Sequence, residues 1–305
     1  MGCEGSGDVG KFLMALQDEF EPILRLDEPL APHTWLMLGG PAQYFAEPRD
    51  IDELAQLVQR CRQEEIPVRL LGGGSNVLVR DEGLPGVVVC LSHPGFAQIA
   101  VRGCRVTAGG GAKLGHVIST AVGEGLAGLE ALVGIPGTIG GALHGNAGSR
   151  GGDVGQWTKR ATVMTRGGEI IERQREELVF AYRQSSLDEL VILSAEFELE
   201  TDDPEQLTKR MQTQWIAKKA AQPLGHQHAG CIFKNPRGMS AGMLIDQAGL
   251  KGTRVGAAEV SDRHANFIVT EPGATAQDVL RLIELVRSRV ADRLGVELET
   301  EIEIW

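Results

Sequence analysis

The sequence predicts an α+β fold: an N-terminal tail with one short helix (residues 1–20) followed by three packed units at 21–97, 98–200 and 201–305. Three observations predict it. From about Gln98 to Leu199, short strands surround a single helix. Two glycine-rich segments, Leu71–Leu78 and Gly134–Gly148, sit between apolar stretches rather than in polar linkers. A charged break, Glu200-Thr-Asp-Asp-Pro204, then opens a stretch that reads helix, strand, helix, strand.

Residues 1–10 read as a tail, and Lys11–Phe20 as a short helix. Asp50 is placed to cap a helix over Ile51–Glu65, where Leu54, Leu57, Val58 and Cys61 keep helical spacing. Strands are predicted at Pro67–Leu71, Val77–Arg80 and Val87–Leu91. The second unit gives strands at Ile99–Val101, Cys104–Ala108, Ala161–Thr165, Glu169–Glu172 and Val191–Leu199 around a helix at Lys113–Glu124. Gly134–Gly148 reads as a loop. The last hundred residues give helices to about Lys219, at Ser240–Ala248 and at Thr275–Leu294, with strands at Ala265–Thr270 and Glu299–Ile304. Val279, Leu282, Ile283, Val286 and Val290 hold a helical period through the longest of these.

The chain has 305 residues, 42% hydrophobic and 23% charged, which is a globular composition. Its 40 glycines are roughly twice ordinary usage. Net charge is 30 − 41 = −11, which disfavours nucleic acid and anionic membranes as partners but leaves a small anionic ligand open. The longest apolar run, near Val87–Leu91, is too short to span a bilayer, and the first twenty residues carry acids where a secretory signal is apolar. Met1-Gly-Cys-Glu-Gly-Ser6 fits a loose myristoylation pattern and reads better as a glycine-rich tail. Five cysteines with no C-x-x-C pair read as reduced thiols, hence a cytoplasmic protein. Two G-x-G-x-x-G matches, at Gly5 and Gly123, lack the preceding strand that a dinucleotide turn needs. His226-Gln-His228 has no obvious third ligand, so no metal is expected.

Three constellations carry chemistry. In Gly72-Gly73-Gly74-Ser75-Asn76-Val77, consecutive glycines let amides converge on one concavity, as a phosphate requires. Gly134-Ile135-Pro136-Gly137-Thr138 with Gly140, Gly141, Asn146 and Gly148 describes a second backbone shaped to lie against something flat or anionic. Two such loops suit one extended ligand, such as a dinucleotide. The third set is polar: Tyr182-Arg183-Gln-Ser-Ser186, Cys231-Ile-Phe-Lys234-Asn235-Pro236, Lys251, His264-Ala-Asn266 and Glu301.

These residues carry a resemblance. GGPAQYF (39–45), LGGGSNVLV (71–79), GIPGTIGGALHGNAG (134–148), YRQSS (182–186), AGCIFKNP (229–236), LIDQAGLKG (244–252), VSDRHANF (260–267) and LETEIEI (298–304) occur in the order found in the UDP-N-acetylenolpyruvoylglucosamine reductase (MurB) family. The chain resembles the shorter form of that family over roughly 30–304; GGGSN alone indicates only the wider flavoprotein group.

The resemblance implies the FAD-binding two-subdomain fold of the vanillyl-alcohol-oxidase/MurB type, closed by a C-terminal α+β substrate domain. It implies FAD in the two glycine loops, NADPH as co-substrate, and UDP-N-acetylglucosamine enolpyruvate as substrate, reduced to UDP-N-acetylmuramate for peptidoglycan. Arg183, Cys231 and Glu301 then fall on catalytic positions, with Cys231 as proton donor where serine is common. Tyr182, Lys234, Asn235, Lys251, His264 and Asn266 fall near the substrate. Leu36-Met37 replaces a commonly basic or polar pair, and Ser149-Arg150 stands where Ala-Tyr is common. A monomer is expected. The alternatives are another FAD-dependent oxidase or dehydrogenase of the same fold, and a catalytically dead nucleotide-binding module.

Overall fold

The computed structural model describes residues 16–149 and 151–305. Residues 16–20 are helical; the myristoylation-like start and the first half of the helix expected over Lys11–Phe20 lie outside the described residues.

The first sheet contains β1 (Leu24–Pro29), β2 (Pro41–Ala46), β3 (Val68–Leu71) and β5 (Leu84–Cys90), in the order β1-β2-β5-β3. The last three run parallel, and β5 is nearly continuous in buried valines, as a strand covered on both faces must be. The crossover from β2 to β3 is α1 (Ile51–Gln63). It starts where Asp50 accepts a hydrogen bond from the Glu53 amide at 2.9 Å, and it buries Leu54, Leu57, Val58 and Cys61. Between β3 and β5 the chain leaves the sheet for β4 (Val77–Leu78).

The second sheet is antiparallel, with β6 (Ile99–Arg102), β7 (Arg105–Gly109), β8 (Thr158–Met164), β9 (Ile170–Gln174) and β10 (Val191–Glu198) in the order β9-β8-β10-β7-β6. Against it lie α2 (Leu114–Gly123) and α3 (Ile139–His144). The glycine segment expected as a loop therefore contains a helix. Thr138 caps it, and Ile139, Ala142 and Leu143 bury in the core, which outweighs the poor helix propensity of Gly140 and Gly141. The helix after the charged break, α4 (Pro204–Ala221), packs back on this second core through Leu207 and Met211.

The third unit carries β11 (Gln227–His228), α5 (Ala241–Gln247), β12 (Arg254–Val255), β13 (Ala258–Val260), β14 (Ile268–Thr270) and α6 (Ala276–Leu294), with sheet order β11-β14-β13-β12. Helix α6 opens on a Thr275/Asp278 capping box and stops at Gly295, whose φ of +67° is the usual left-handed exit. Its core takes in Leu36, Leu38 and Leu78 from the first unit, so the Leu36 noted above is a packing residue.

The chain end departs from the single strand expected over Glu299–Ile304. Only β15 (Glu303–Ile304) is regular, and it pairs in parallel with β4. Just before it, Glu299–Glu301 bonds along Ile232–Lys234.

A long-range cap docks α6 on the first unit. Asp81 accepts hydrogen bonds from the Ala276 amide at 2.9 Å and the Gln277 amide at 3.0 Å. Replacing Asp81 with Ala is expected to destabilise the chain by about 1 kcal/mol, read as a lower urea midpoint, with Asp81→Asn losing less; an unchanged midpoint would show the cap to be dispensable.

Candidate active site

The two glycine loops touch through their backbones. A Cβ on Gly73 would stand 2.7 Å from the Gly137 Cα, and one on Gly72 would stand 3.0 Å from the Thr138 hydroxyl. Gly74 has φ +63°, and its Cβ would meet the His33 carbonyl at 2.0 Å. Glycine is required at Gly73 and Gly74 by lack of room. Ser75 Oγ reaches the Pro136 carbonyl at 3.5 Å. The amides of Gly73, Gly74, Ser75 and Asn76 donate to no other group among the described residues. Four uncommitted donors on one tight loop form a nest suited to an anion. Val77 is buried beneath it. In the second loop, Gly134 lies against the Trp215 ring, Ile135 packs on the second core, and Gly140 and Gly141 donate to Gly110 and Thr138.

Asn146, expected to contact cofactor, does something else with its side chain. Its Oδ1 accepts from the Gly155 amide at 3.1 Å and its Nδ2 donates to the Ala181 carbonyl at 2.8 Å. Buried at 2% exposure with both polar ends engaged, it braces the hairpin that carries Arg183.

That hairpin pairs Phe180–Ala181 with Gln184–Ser185. Its second turn residue, Arg183, has φ +56°, a strained value for a non-glycine residue. The turn aims the guanidinium at the C-terminal segment. Arg183 Nε donates to Glu301 Oε1 at 2.5 Å, and Nη1 donates to the Gly148 carbonyl at 3.1 Å. The Nη2 atom has no partner among the described residues. The Arg183 guanidinium also lies 5.3 Å from the centre of the Tyr182 ring, and the Tyr182 hydroxyl accepts from the Asn235 amide at 3.1 Å.

Cys231 follows Gly230 at φ +73°, in a turn gripped from two sides. On one side Asn266 accepts from the Phe233 amide at 3.0 Å and donates to the Phe233 carbonyl at 2.8 Å. On the other, the Glu301 amide donates to the Ile232 carbonyl at 2.7 Å and the Lys234 amide to the Glu299 carbonyl at 2.8 Å. Asn266, expected beside substrate, uses its carboxamide to hold the cysteine turn. Lys234 pairs with Glu299 at 2.5 Å, and Asn235 Oδ1 takes the first amide of α5, Ala241, at 2.9 Å.

Burial dominates the electrostatics. It pushes the Cys231 thiol up to about 12, helped by Glu301 and opposed by Arg183 and the Asn266 hydrogen bond. Glu301 is raised above the ordinary carboxylate range: loss of solvent outweighs the pull of Arg183 and Lys234.

Lys251 and His264 sit together at a second patch. Lys251 pairs with Asp246 at 2.8 Å, while His264 packs edge-on to Phe267 and accepts from the Asn266 amide at 3.2 Å. Burial, and then the Lys251 charge, lower His264 below its ordinary value. His228 meets the Trp35 and Phe267 rings edge-on, and no group of His, Cys, Asp or Glu among the described residues could hold a metal. The described cysteines are free thiols, and no helix among the described residues is long and apolar enough to cross a membrane. Sequence reasoning missed Trp215 and Lys218. The Trp215 ring covers Gly134, and Lys218 donates to the Val133 carbonyl at 2.5 Å. The only signal was a pair of lysines near a helix end, with nothing to link them to a loop 85 residues away.

Residues 42–173 match the FAD binding domain family, and residues 222–305 match the UDP-N-acetylenolpyruvoylglucosamine reductase C-terminal domain. A UDP-N-acetylenolpyruvoylglucosamine reductase of Symbiobacterium thermophilum is 45% identical, over 92% of each chain. The chain belongs to the UDP-N-acetylenolpyruvoylglucosamine reductase family. A second member, from Listeria innocua, is 41% identical over 95% of this chain and 97% of its own. The crystal structure of the family's enzyme from Thermus caldophilus superposes with a TM-score of 0.79 at 39% identity, covering 92% of this chain and 98% of that one. A glucose dehydrogenase, Phl p 4.0202, shares the fold alone, with a TM-score of 0.50 at 14% identity over 64% of this chain and 44% of that one.

FAD is the cofactor of this fold, and the chain fits it. The uncommitted amides of Gly73–Asn76 suit the pyrophosphate, and the contact of Gly73 with Gly137 leaves no room for a side chain between the loops. Gly73→Ala should therefore purify with most of its flavin absorbance lost. Gly115→Ala, on α2 with open space around it, should keep its flavin; equal flavin content in the two variants would refute the nest.

Proposed function

We propose that this chain reduces the enolpyruvyl group of UDP-N-acetylglucosamine enolpyruvate to UDP-N-acetylmuramate, with NADPH as electron donor. The observation that carries the reading is the convergence of Arg183, Glu301 and Cys231 from three distant stretches, within a chain of this reductase family. The division into a tail (1–20), two flavin-binding subdomains (21–97 and 98–200) and a closing domain (201–305) belongs to the same proposal.

FAD, held by the amides of Gly73–Asn76 and the Gly134–Gly141 loop, would supply the hydride-transfer chemistry that links NADPH to the β-carbon of the enolpyruvyl double bond. The protein handles the charge and the proton. As the β-carbon gains hydride, electron density moves to the α-carbon and its carboxylate. The free Nη2 edge of Arg183 offers donors to that carboxylate in a partly buried setting, where such contacts are stronger than in bulk water. Glu301 orients Arg183, and its raised pKa lets it keep a proton more readily than a surface carboxylate. Cys231 gives its proton to the α-carbon. Its own pKa, pushed up to about 12, keeps the thiol protonated at neutral pH, so the donor is loaded before substrate arrives. An ordinary thiol is already protonated at neutral pH; burial makes this one a weaker acid still. The sugar nucleotide is assigned to Lys234, Asn235, Lys251 and His264 on the third unit, and Tyr182 ties Asn235 to the Arg183 turn.

Purified protein should be yellow. Cys231→Ala should leave NADPH reduction of the flavin nearly intact and slow transfer to the enolpyruvyl nucleotide by about 100- to 10,000-fold, whereas Cys231→Ser should retain substantial activity. A colourless folded protein removes the flavin reading, and equal losses in both half-reactions of Cys231→Ala make the thiol structural.

A further inference from the structure

His144, the last residue of α3, touches both segments that the proposed reaction must align. Its carbonyl accepts from the Ser185 hydroxyl at 2.9 Å, and its Nδ1 lies 3.3 Å from the Leu187 carbonyl. Ser185 lies on the Arg183 hairpin and Leu187 just beyond it. Its Nε2 stands 3.6 Å from Glu303 Oε1 on the C-terminal segment. Glu303 is itself held, its amide donating to the Asn76 carbonyl at 3.0 Å and its carboxylate receiving the Trp305 indole N–H at 3.4 Å. A neutral imidazole has one N–H, yet both ring nitrogens here face acceptors. As an imidazolium, His144 donates to the Leu187 carbonyl from Nδ1 and pairs with the Glu303 carboxylate at 3.6 Å from Nε2.

We infer that His144 is a positioning residue: as an imidazolium it fastens the Arg183 hairpin to the C-terminal segment through Glu303, and so holds Glu301 opposite Arg183. The inference rests on the roles proposed above for Arg183 and Glu301.

The charged groups around the pair are consistent in sign. Glu303 raises His144 above its ordinary value against the opposing effect of burial, and Asp188, beyond the hairpin, adds to the rise. His144 holds Glu303 below the ordinary carboxylate range, against burial, and Arg69 on β3 adds a smaller pull. The contribution of His144 is complete below its unfolded-state pKa and is lost as pH rises through its raised folded value. That of Glu303 is complete above its unfolded-state pKa and is lost as pH falls through its depressed folded value. The clamp is closed between the two folded values and opens on the alkaline side. The side chains are 57% and 51% exposed, so solvent and salt hold the effect to about two- to fivefold.

The test uses FAD-loaded enzyme with labelled histidine, comparing wild type, Glu303→Gln, Glu303→Asp and His144→Gln. Glu303→Gln is expected to lower the His144 titration midpoint, while Glu303→Asp largely restores it. Amide exchange at Glu303 and Trp305 should rise about two- to fivefold in Glu303→Gln and His144→Gln. The second half-reaction should slow by a similar factor, and the part of its alkaline decline owed to His144 should vanish in both variants. Flavin reduction by NADPH should not change. An unmoved His144 midpoint in Glu303→Gln, unchanged exchange, or an unchanged second half-reaction each overturns the inference. If midpoint and exchange respond while wild type lacks the second half-reaction altogether, the clamp stands as a structural link, and it is the proposed function, with the positioning role, that fails.

Discussion

The last seven residues are the constraint on which the site depends. Their backbone bonds first to Ile232–Lys234 and then to Asn76–Arg80, so one short segment stitches the cysteine turn to the first glycine loop. Asn76 adds a side-chain bond to the Glu301 carbonyl at 3.0 Å. Glu301 sits at the changeover. Its amide serves the cysteine turn, its carbonyl the glycine loop, and its carboxylate Arg183. No element of regular structure is long enough here to fix these groups alone. The precision comes from a chain of backbone hydrogen bonds, each with few alternatives once solvent is excluded.

Burial then sets the chemistry. A carboxylate 2.5 Å from a guanidinium would ordinarily ionise more readily, yet Glu301 is shifted the other way because desolvation is the larger effect. The same exclusion of water keeps the Cys231 proton in place. Arg183 is held in a left-handed turn that glycine would adopt without strain. Its contacts with Glu301 and Gly148 offset that strain and fix the guanidinium in place.

Much of this was legible in the residues. Triple glycine before Ser-Asn between apolar runs pointed to a nest, and the structure supplies uncommitted amides there. The helical period of Val279–Val290 gave α6 closely. The helix α3 stayed hidden because Gly140 and Gly141 argue against it locally, while the burial of Ile139 and Leu143 that forms it is tertiary. Asn146 and Asn266 show a different limit. A sequence reveals a carboxamide but not whether it faces a ligand or the protein's own backbone, and both side chains face backbone. The Asp81 cap and the Trp215 cover on Gly134 join residues far apart in the chain, and no local pattern announces either.

The most direct measurement is single-turnover kinetics on a chain ended after Ile302. It keeps Glu301 and the bonds to the cysteine turn but removes the pairing with Asn76–Arg80. If this stitch sets the alignment, the shortened chain binds FAD and accepts electrons from NADPH, and passes them to the enolpyruvyl nucleotide at least about tenfold more slowly, a loss of about 1.4 kcal/mol in transition-state alignment. Transfer at the full-length rate would contradict it.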